Sequence, residues 1–223
     1  MSDNDAAITS EAVPLVVLDA LEARVLGCLI EKAATTPDVY PLTLNAVQLA
    51  CNQKSNRDPL MQAELGDVGH ALHTLEQKKL VRQERGARAV RYEHTIDAAL
   101  NLTARSRALI ALLLLRGPQT QAELLTRSER LADFPDIESL DDTLQRLIAR
   151  TPPLAQNVGR ASGQRGDRYM HLLCGPVAIE AFAARSVALL PSGGESSDDL
   201  EARVAELERL VADLQRRLDG GTD

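Results

Sequence analysis

The chain has 223 residues, 44% of them apolar, only 2% aromatic and none tryptophan, with a formal net charge of −7. That length accommodates two domains of roughly 100 residues, each with an aliphatic core of a kind that suits helices better than a large sheet. The charge argues against blanket affinity for nucleic acid, the longest apolar run (Ala108 to Leu115) is far short of the ~20 residues of a membrane span, and Asp3, Asp5 and Glu11 make a poor signal peptide, so a cytoplasmic protein with no membrane partner is expected.

Residues 1–14 are polar and aperiodic up to Pro14, which reads as a disordered arm. Leu18, Leu21, Val25 and Leu29 recur at helical spacing with Asp19 and Glu22 at the start, predicting a first helix that stops before Thr35-Thr36-Pro37. Thr43 is placed to cap a second helix carrying Leu44, Val47 and Leu49, which closes in the polar stretch ending Asp58-Pro59. A third helix carries Val68, Ala71, Leu72 and Leu75, with Asp67 expected to cap it. Two short alternating segments, from Leu80 to Arg85 and from Arg88 to His94, flank Gly86 and predict a hairpin.

The order then repeats. A helix over Thr103 to Leu115, a second capped by Thr120 and a third over about 137–150 that halts at Thr151-Pro152-Pro153 precede a longer hairpin around Gly159, Gly163 and Gly166. The repetition is one of architecture, with weak residue identity. Beyond it, 176–197 reads as a linker with room for a short helix, and 198–219 as a coiled-coil tail in which Leu200, Val204, Leu207, Val211, Leu214 and Leu218 form a heptad seam. Val alternating with Leu on that seam favours a parallel homodimer; the plainer alternative is an amphipathic helix lying on its own domain.

The expected fold is therefore mostly α with small β-hairpin wings (α+β): two tandem winged-helix domains, at 15–97 and 98–175, plus the tail. The runs Leu21-Glu22-Ala23-Arg24-Val25-Leu26-Gly27, Leu42-Thr43-Leu44-Asn45-Ala46 and Cys51-Asn52-Gln53-Lys54-Ser55-Asn56-Arg57-Asp58-Pro59 make residues 15 to 175 similar to the YceH-like family of bacterial proteins. That resemblance implies two winged-helix domains and no particular activity.

No catalytic constellation stands out, so the chain is expected not to be an enzyme and to need no cofactor. Cys28, Cys51 and Cys174 are widely spaced among apolar neighbours and read as buried thiols. His70 and His73 share a helix face without a third ligand, so no metal site is expected, and the hairpin glycines precede a strand instead of opening a helix as a phosphate loop does.

Regional charge is more telling. From residue 78 to 91 the cations Lys78, Lys79, Arg82, Arg85, Arg88 and Arg91 face one acid, Glu84, a balance of +5; from 145 to 168, Arg146, Arg150, Arg160, Arg165 and Arg168 face Asp167, a balance of +4. Basic hairpins of this kind gain affinity for a phosphate backbone by counterion release. Lys54 and Arg57, before the third helix, are placed for the same contact, unless the run around them simply fixes the turn. The start of the third helix, with Asp67, His70 and His73, is a poor base-reading surface. Its counterpart, with Asp133, Asp136, Glu138, Asp141 and Asp142, would repel phosphate. Two readings stay open: a regulator of DNA-binding type that grips double-stranded DNA through the first hairpin and turn, and an interaction or scaffold protein that docks protein partners and dimerises through its tail.

Overall fold

The computed structural model describes residues 17–86, 89–160, 166–176 and Arg209. The chain divides into two compact units, 1–183 and 184–223, and every described residue except Arg209 belongs to the first. The arm, most of the linker and the seam residues Leu200, Val204, Leu207, Val211, Leu214 and Leu218 lie outside the described residues, as do Arg88, Gly163 and Arg165.

The described fold is mixed α+β and mostly helical. Its first half runs α1 (Ala20–Thr35), a single 3-10 turn (Pro37–Val39), β1 (Leu42–Thr43), α2 (Leu44–Cys51), α3 (Leu65–Gln77), β2 (Val81–Arg85) and β3 (Val90–His94). A short α4 (Ile96–Leu100) leads to α5 (Ala104–Arg116), β4 (Gln119–Thr120), α6 (Gln121–Ser128), α7 (Ile137–Ala149), β5 (Ala155–Gly159) and β6 (Arg168–His171). Each half has a three-stranded antiparallel sheet, ordered β1-β3-β2 and β4-β6-β5. The hairpins expected from alternation are present, each with a two-residue strand added on the far side of its second strand.

Helix starts follow from their caps. Asp19 and Glu22 close a reciprocal capping box on α1 (Glu22 N to Asp19 Oδ1 2.7 Å, Asp19 N to Glu22 Oε2 2.9 Å), and Thr120 and Glu123 do the same on α6. Thr43, Thr103 and Asp136 cap α2, α5 and α7 with their side chains. The expected cap of the third helix is corrected: Asp67 lies within its first turn and Glu64 is the cap residue. The helix starts early because Asn52 holds Ala63 at both backbone groups, accepting from its N–H at 2.8 Å and donating to its carbonyl at 3.0 Å. Cys28 and Cys51 are buried as expected, but Cys174 is exposed, in the turn after β6 where Leu173 takes the inward position.

The two halves share a core. Residues Glu22 to Ile30 of α1 and Ala108 to Leu115 of α5 are buried without interruption, so both helices are covered all round, and they form the most extensive helix pair of the unit. One cluster of buried side chains runs from Leu18 through α1, α3, α5 and α7 to Leu173. Backbone bonds also tie the halves: Leu18 N–H donates to the Leu173 carbonyl at 2.7 Å and Asp58 N–H to the Leu115 carbonyl at 2.9 Å. None of the helices among the described residues is long and apolar enough to cross a membrane.

Candidate nucleic-acid interface

The first hairpin pairs Val81 with His94, Arg82 with Glu93, Gln83 with Tyr92, Glu84 with Arg91 and Arg85 with Val90. Alternation therefore gathers Arg82, Glu84, Arg91 and Glu93 on one face, two cations beside two acids. Arg82 is ion-paired to Glu93 while its side chain stays 69% exposed, and Arg91 donates to the Pro41 carbonyl at 2.7 Å. Lys78 is withdrawn further, donating to Glu22 at 2.5 Å and to the Val17 carbonyl at 2.8 Å. Two charges of the +5 balance of this stretch are thus offset from outside it, by Glu93 across the ladder and Glu22 on α1.

Three cations of the first half remain exposed with side chains that make no hydrogen bond or ion pair with another described residue: Lys54, Lys79 and Arg85. Lys54 lies in the segment between α2 and α3. Lys79 follows α3 with a left-handed backbone (φ 59°), and Arg85 ends β2.

Arg57 corrects the sequence expectation. Its side chain is fully buried: Nε donates to the Ala50 carbonyl (3.0 Å), and the guanidinium reaches both carboxylate oxygens of Glu31 (3.1 and 2.6 Å), the Asn56 carbonyl (2.8 Å) and Gln53 Oε1 (2.6 Å). Burial alone would lower its pKa, but the Glu31 carboxylate outweighs it and the net shift is upward. A phosphate cannot reach this group. The run from Cys51 to Pro59 is a structural staple, and Arg24, which no charge count singles out, completes it. Also buried, Arg24 donates to the carbonyls of Cys51 (3.2 Å) and Pro59 (2.6 Å), holding both ends. A signal for it exists in the sequence, because Arg24, Cys28 and Glu31 fall at i, i+4 and i+7 on one face of α1.

In the second half, Arg160 is 63% exposed and lies 3.8 Å from Asp167, whereas Arg168 is held by the Pro118 carbonyl (2.8 Å) and Glu123 (3.1 Å). The N-terminus of α7 presents Asp136 as its cap beside exposed Glu138.

Arg91 and Arg168 also reveal a closer repeat than expected. Thr43 pairs with Arg91 and Leu42 with Tyr92; Thr120 pairs with Arg168 and Gln119 with Tyr169. In both halves a Pro-x-Thr run opens the short strand and an Arg-Tyr-x-His run forms the central one, with the arginine donating to the proline carbonyl. The repeat therefore includes residue identity at matched register. It extends to the histidines: His94 and His171 end equivalent strands, and each has a buried Nδ1 with no hydrogen-bond partner among the described residues. Burial lowers the pKa of both, that of His171 to about 4.

Residues 18–164, which span nearly the whole of this duplicated unit, match the family model described as "Protein of unknown function, DUF480". The chain belongs to this family. It is 54% identical over 211 residues to a UPF0502 protein of Xanthomonas campestris pv. campestris (strain B100), covering 94% of each chain. A UPF0502 protein of Mesorhizobium japonicum is 55% identical over 211 residues, with 94% of this chain and 98% of the relative covered. One from Stenotrophomonas maltophilia (strain K279a) is 55% identical over 210 residues, with 92% and 94% covered. The resemblance to YceH-like proteins agrees with this membership, and none of these descriptions assigns a ligand or an activity.

Proposed function

We propose that each half is a winged helix and that the protein is a non-enzymatic DNA-binding protein of regulatory type. Its first half grips the phosphate backbone, and residues 198–219 pair two chains as a coiled coil. One observation carries the reading: the cations left unengaged in the first half, Lys54, Lys79 and Arg85, fall before α3, after α3 and on the hairpin. These are the segments of a winged helix that flank the helix facing a groove. Arg82, 69% exposed despite its partner Glu93, is available to exchange a carboxylate for a phosphate. The exposed residues Asp67, His70 and His73 on α3 supply no cation for base edges, so the binding is mainly electrostatic. The acidic start of α7 keeps the second half from inserting its own helix.

The test is a salt titration of binding to a duplex of arbitrary sequence. Binding is expected at low salt, and Lys54→Ala, Lys79→Ala and Arg85→Ala should each weaken it and reduce the slope of log K against log salt by about 1. Absence of binding at roughly 50 mM salt, or an unchanged slope in the triple variant, overturns the proposal. The scaffold reading is favoured by a separate feature, an apolar groove on the first half.

A further inference from the structure

The groove lies where α2 meets the end of α1 and the 3-10 turn, lined by Val39, Leu42, Ala46, Leu49, Ala50 and Lys32 among others. Leu49 is 71% exposed and Val39 58% exposed. Single exposed aliphatic residues are ordinary; two that flank one groove ask for a comparison. The fold supplies one, because the same position occurs in the other half.

Matching the helix caps Thr43 and Thr120 aligns Leu42 with Gln119, Ala46 with Glu123, Leu49 with Thr126 and Ala50 with Arg127. In the second half this surface is closed by polar bonds. The Gln119 side chain donates to the Leu112 carbonyl (2.9 Å) and accepts from Arg127 (2.8 Å), and Glu123 is bonded by Arg127 (3.3 Å) and Arg168 (3.1 Å). In the first half Gln119, Glu123, Thr126 and Arg127 are all replaced by apolar residues, and only Arg168 keeps a charged counterpart, Arg91. The turn bearing Val39 has no counterpart either, since only Gly117 and Pro118 separate α5 from β4. Of two equivalent surfaces, one is sealed and the other is left apolar and open.

We infer that this groove docks a short amphipathic helix of a partner protein, presenting two aliphatic side chains one turn apart with an acidic residue beside them. Shape decides against a small molecule: with Leu49 71% and Val39 58% exposed, this open groove of about 270 Å³ cannot enclose the roughly 70–90% of a ligand's surface that small-molecule pockets bury. An extended strand has little to pair with, because β1 is only two residues long. Affinity must therefore come from side chains entering the groove, as helices achieve with anchors at i and i+3 or i+4. Lys32 is the one charged residue of the lining; it shares the Glu31 carboxylate (3.7 Å) with Arg57, and the surplus positive charge of two cations on one acid favours an acidic neighbour on the partner.

The test is selection of a phage-displayed random dodecapeptide library on the full chain, followed by anisotropy titration of the enriched peptides. Enriched sequences should carry two aliphatic residues at i and i+3 or i+4 with an adjacent acid. Leu49→Asp and Val39→Asp should each weaken binding by roughly tenfold or more, and Lys32→Glu should weaken it severalfold. Because Leu49 and Val39 are mostly exposed, both variants should keep the wild-type circular dichroism spectrum, and their duplex binding should be unchanged, which separates this groove from the nucleic-acid proposal. Ile137→Asp, at an exposed apolar position on α7, is the control and should bind like wild type. Enriched peptides that bind Leu49→Asp equally well, or no aliphatic consensus, overturn the inference. Loss of self-association in Leu49→Asp would assign the groove to a second copy of the chain and overturn it equally.

Discussion

Arg57 donates five hydrogen bonds with its side chain, two of them to the Glu31 carboxylate, at a position where the local sequence is entirely polar. Removing one member of a buried pair strands the other. Arg57→Ala should therefore cost about 3–5 kcal/mol in urea denaturation, and Arg57→Lys should recover only part of it, because an ammonium cannot span the two carboxylate oxygens as the planar fork does. His171 makes a different kind of prediction. Burial depresses its pKa to about 4 in the folded chain, against an ordinary value of 6.5, so the folded state favours the neutral ring. The associated stability is fully present above pH 6.5 and is lost as pH falls toward 4, by about 3 kcal/mol in all. Urea midpoints measured across that window should fall less steeply in His171→Gln than in wild type. Part of the slope should remain, because burial depresses His94 in the same direction.

At the scale of elements, the α1–α5 crossing is set by Gly27. A Cβ there would stand 2.9 Å from Leu115 Cγ and 3.1 Å from Leu114 Cβ, and the second of these lies too near the backbone to swing aside. Gly27→Ala gains helix propensity of up to about 1 kcal/mol but forces the helices apart, so a net loss of about 1–3 kcal/mol is expected. The double variant Gly27→Ala/Leu115→Ala should lose less than the sum of its parts, a coupling readable in a denaturation cycle. The helices are legible in the sequence because caps and apolar spacing are local: Asp19, Thr43, Thr103 and Thr120 stand where each helix begins. The strands β1 and β4 are not, since two residues are too short for a period, nor is α4, whose five residues make barely more than a turn. The basic hairpin is legible as a count and not as a surface, because Glu93, which pairs with Arg82, stands two residues beyond the window that ends at Arg91, and Glu22, which pairs with Lys78, lies 56 residues away on α1. The burial of Arg57 is hidden for the same reason: its partner Glu31 is 26 residues away.

For the whole molecule, the net charge of −7 leaves few unengaged cations among the described residues, with Lys54, Lys79 and Arg85 on the first half and Arg130 and Arg146 on the second; the proposed grip on nucleic acid uses the first set. The apolar groove belongs to that half too, while its equivalent in the second is sealed by Glu123, Arg127 and Arg168. Duplication has left the two copies alike in frame and unlike in exposed surface. The frame itself constrains what a gene could do with them. The chain passes from one half of the repeat to the other at α4, but the core does not divide there, since the face of α5 from Ala108 to Leu115 is covered partly by α1. A gene encoding either copy alone would leave its product with a half-clothed hydrophobic helix, so neither copy carries a complete core by itself.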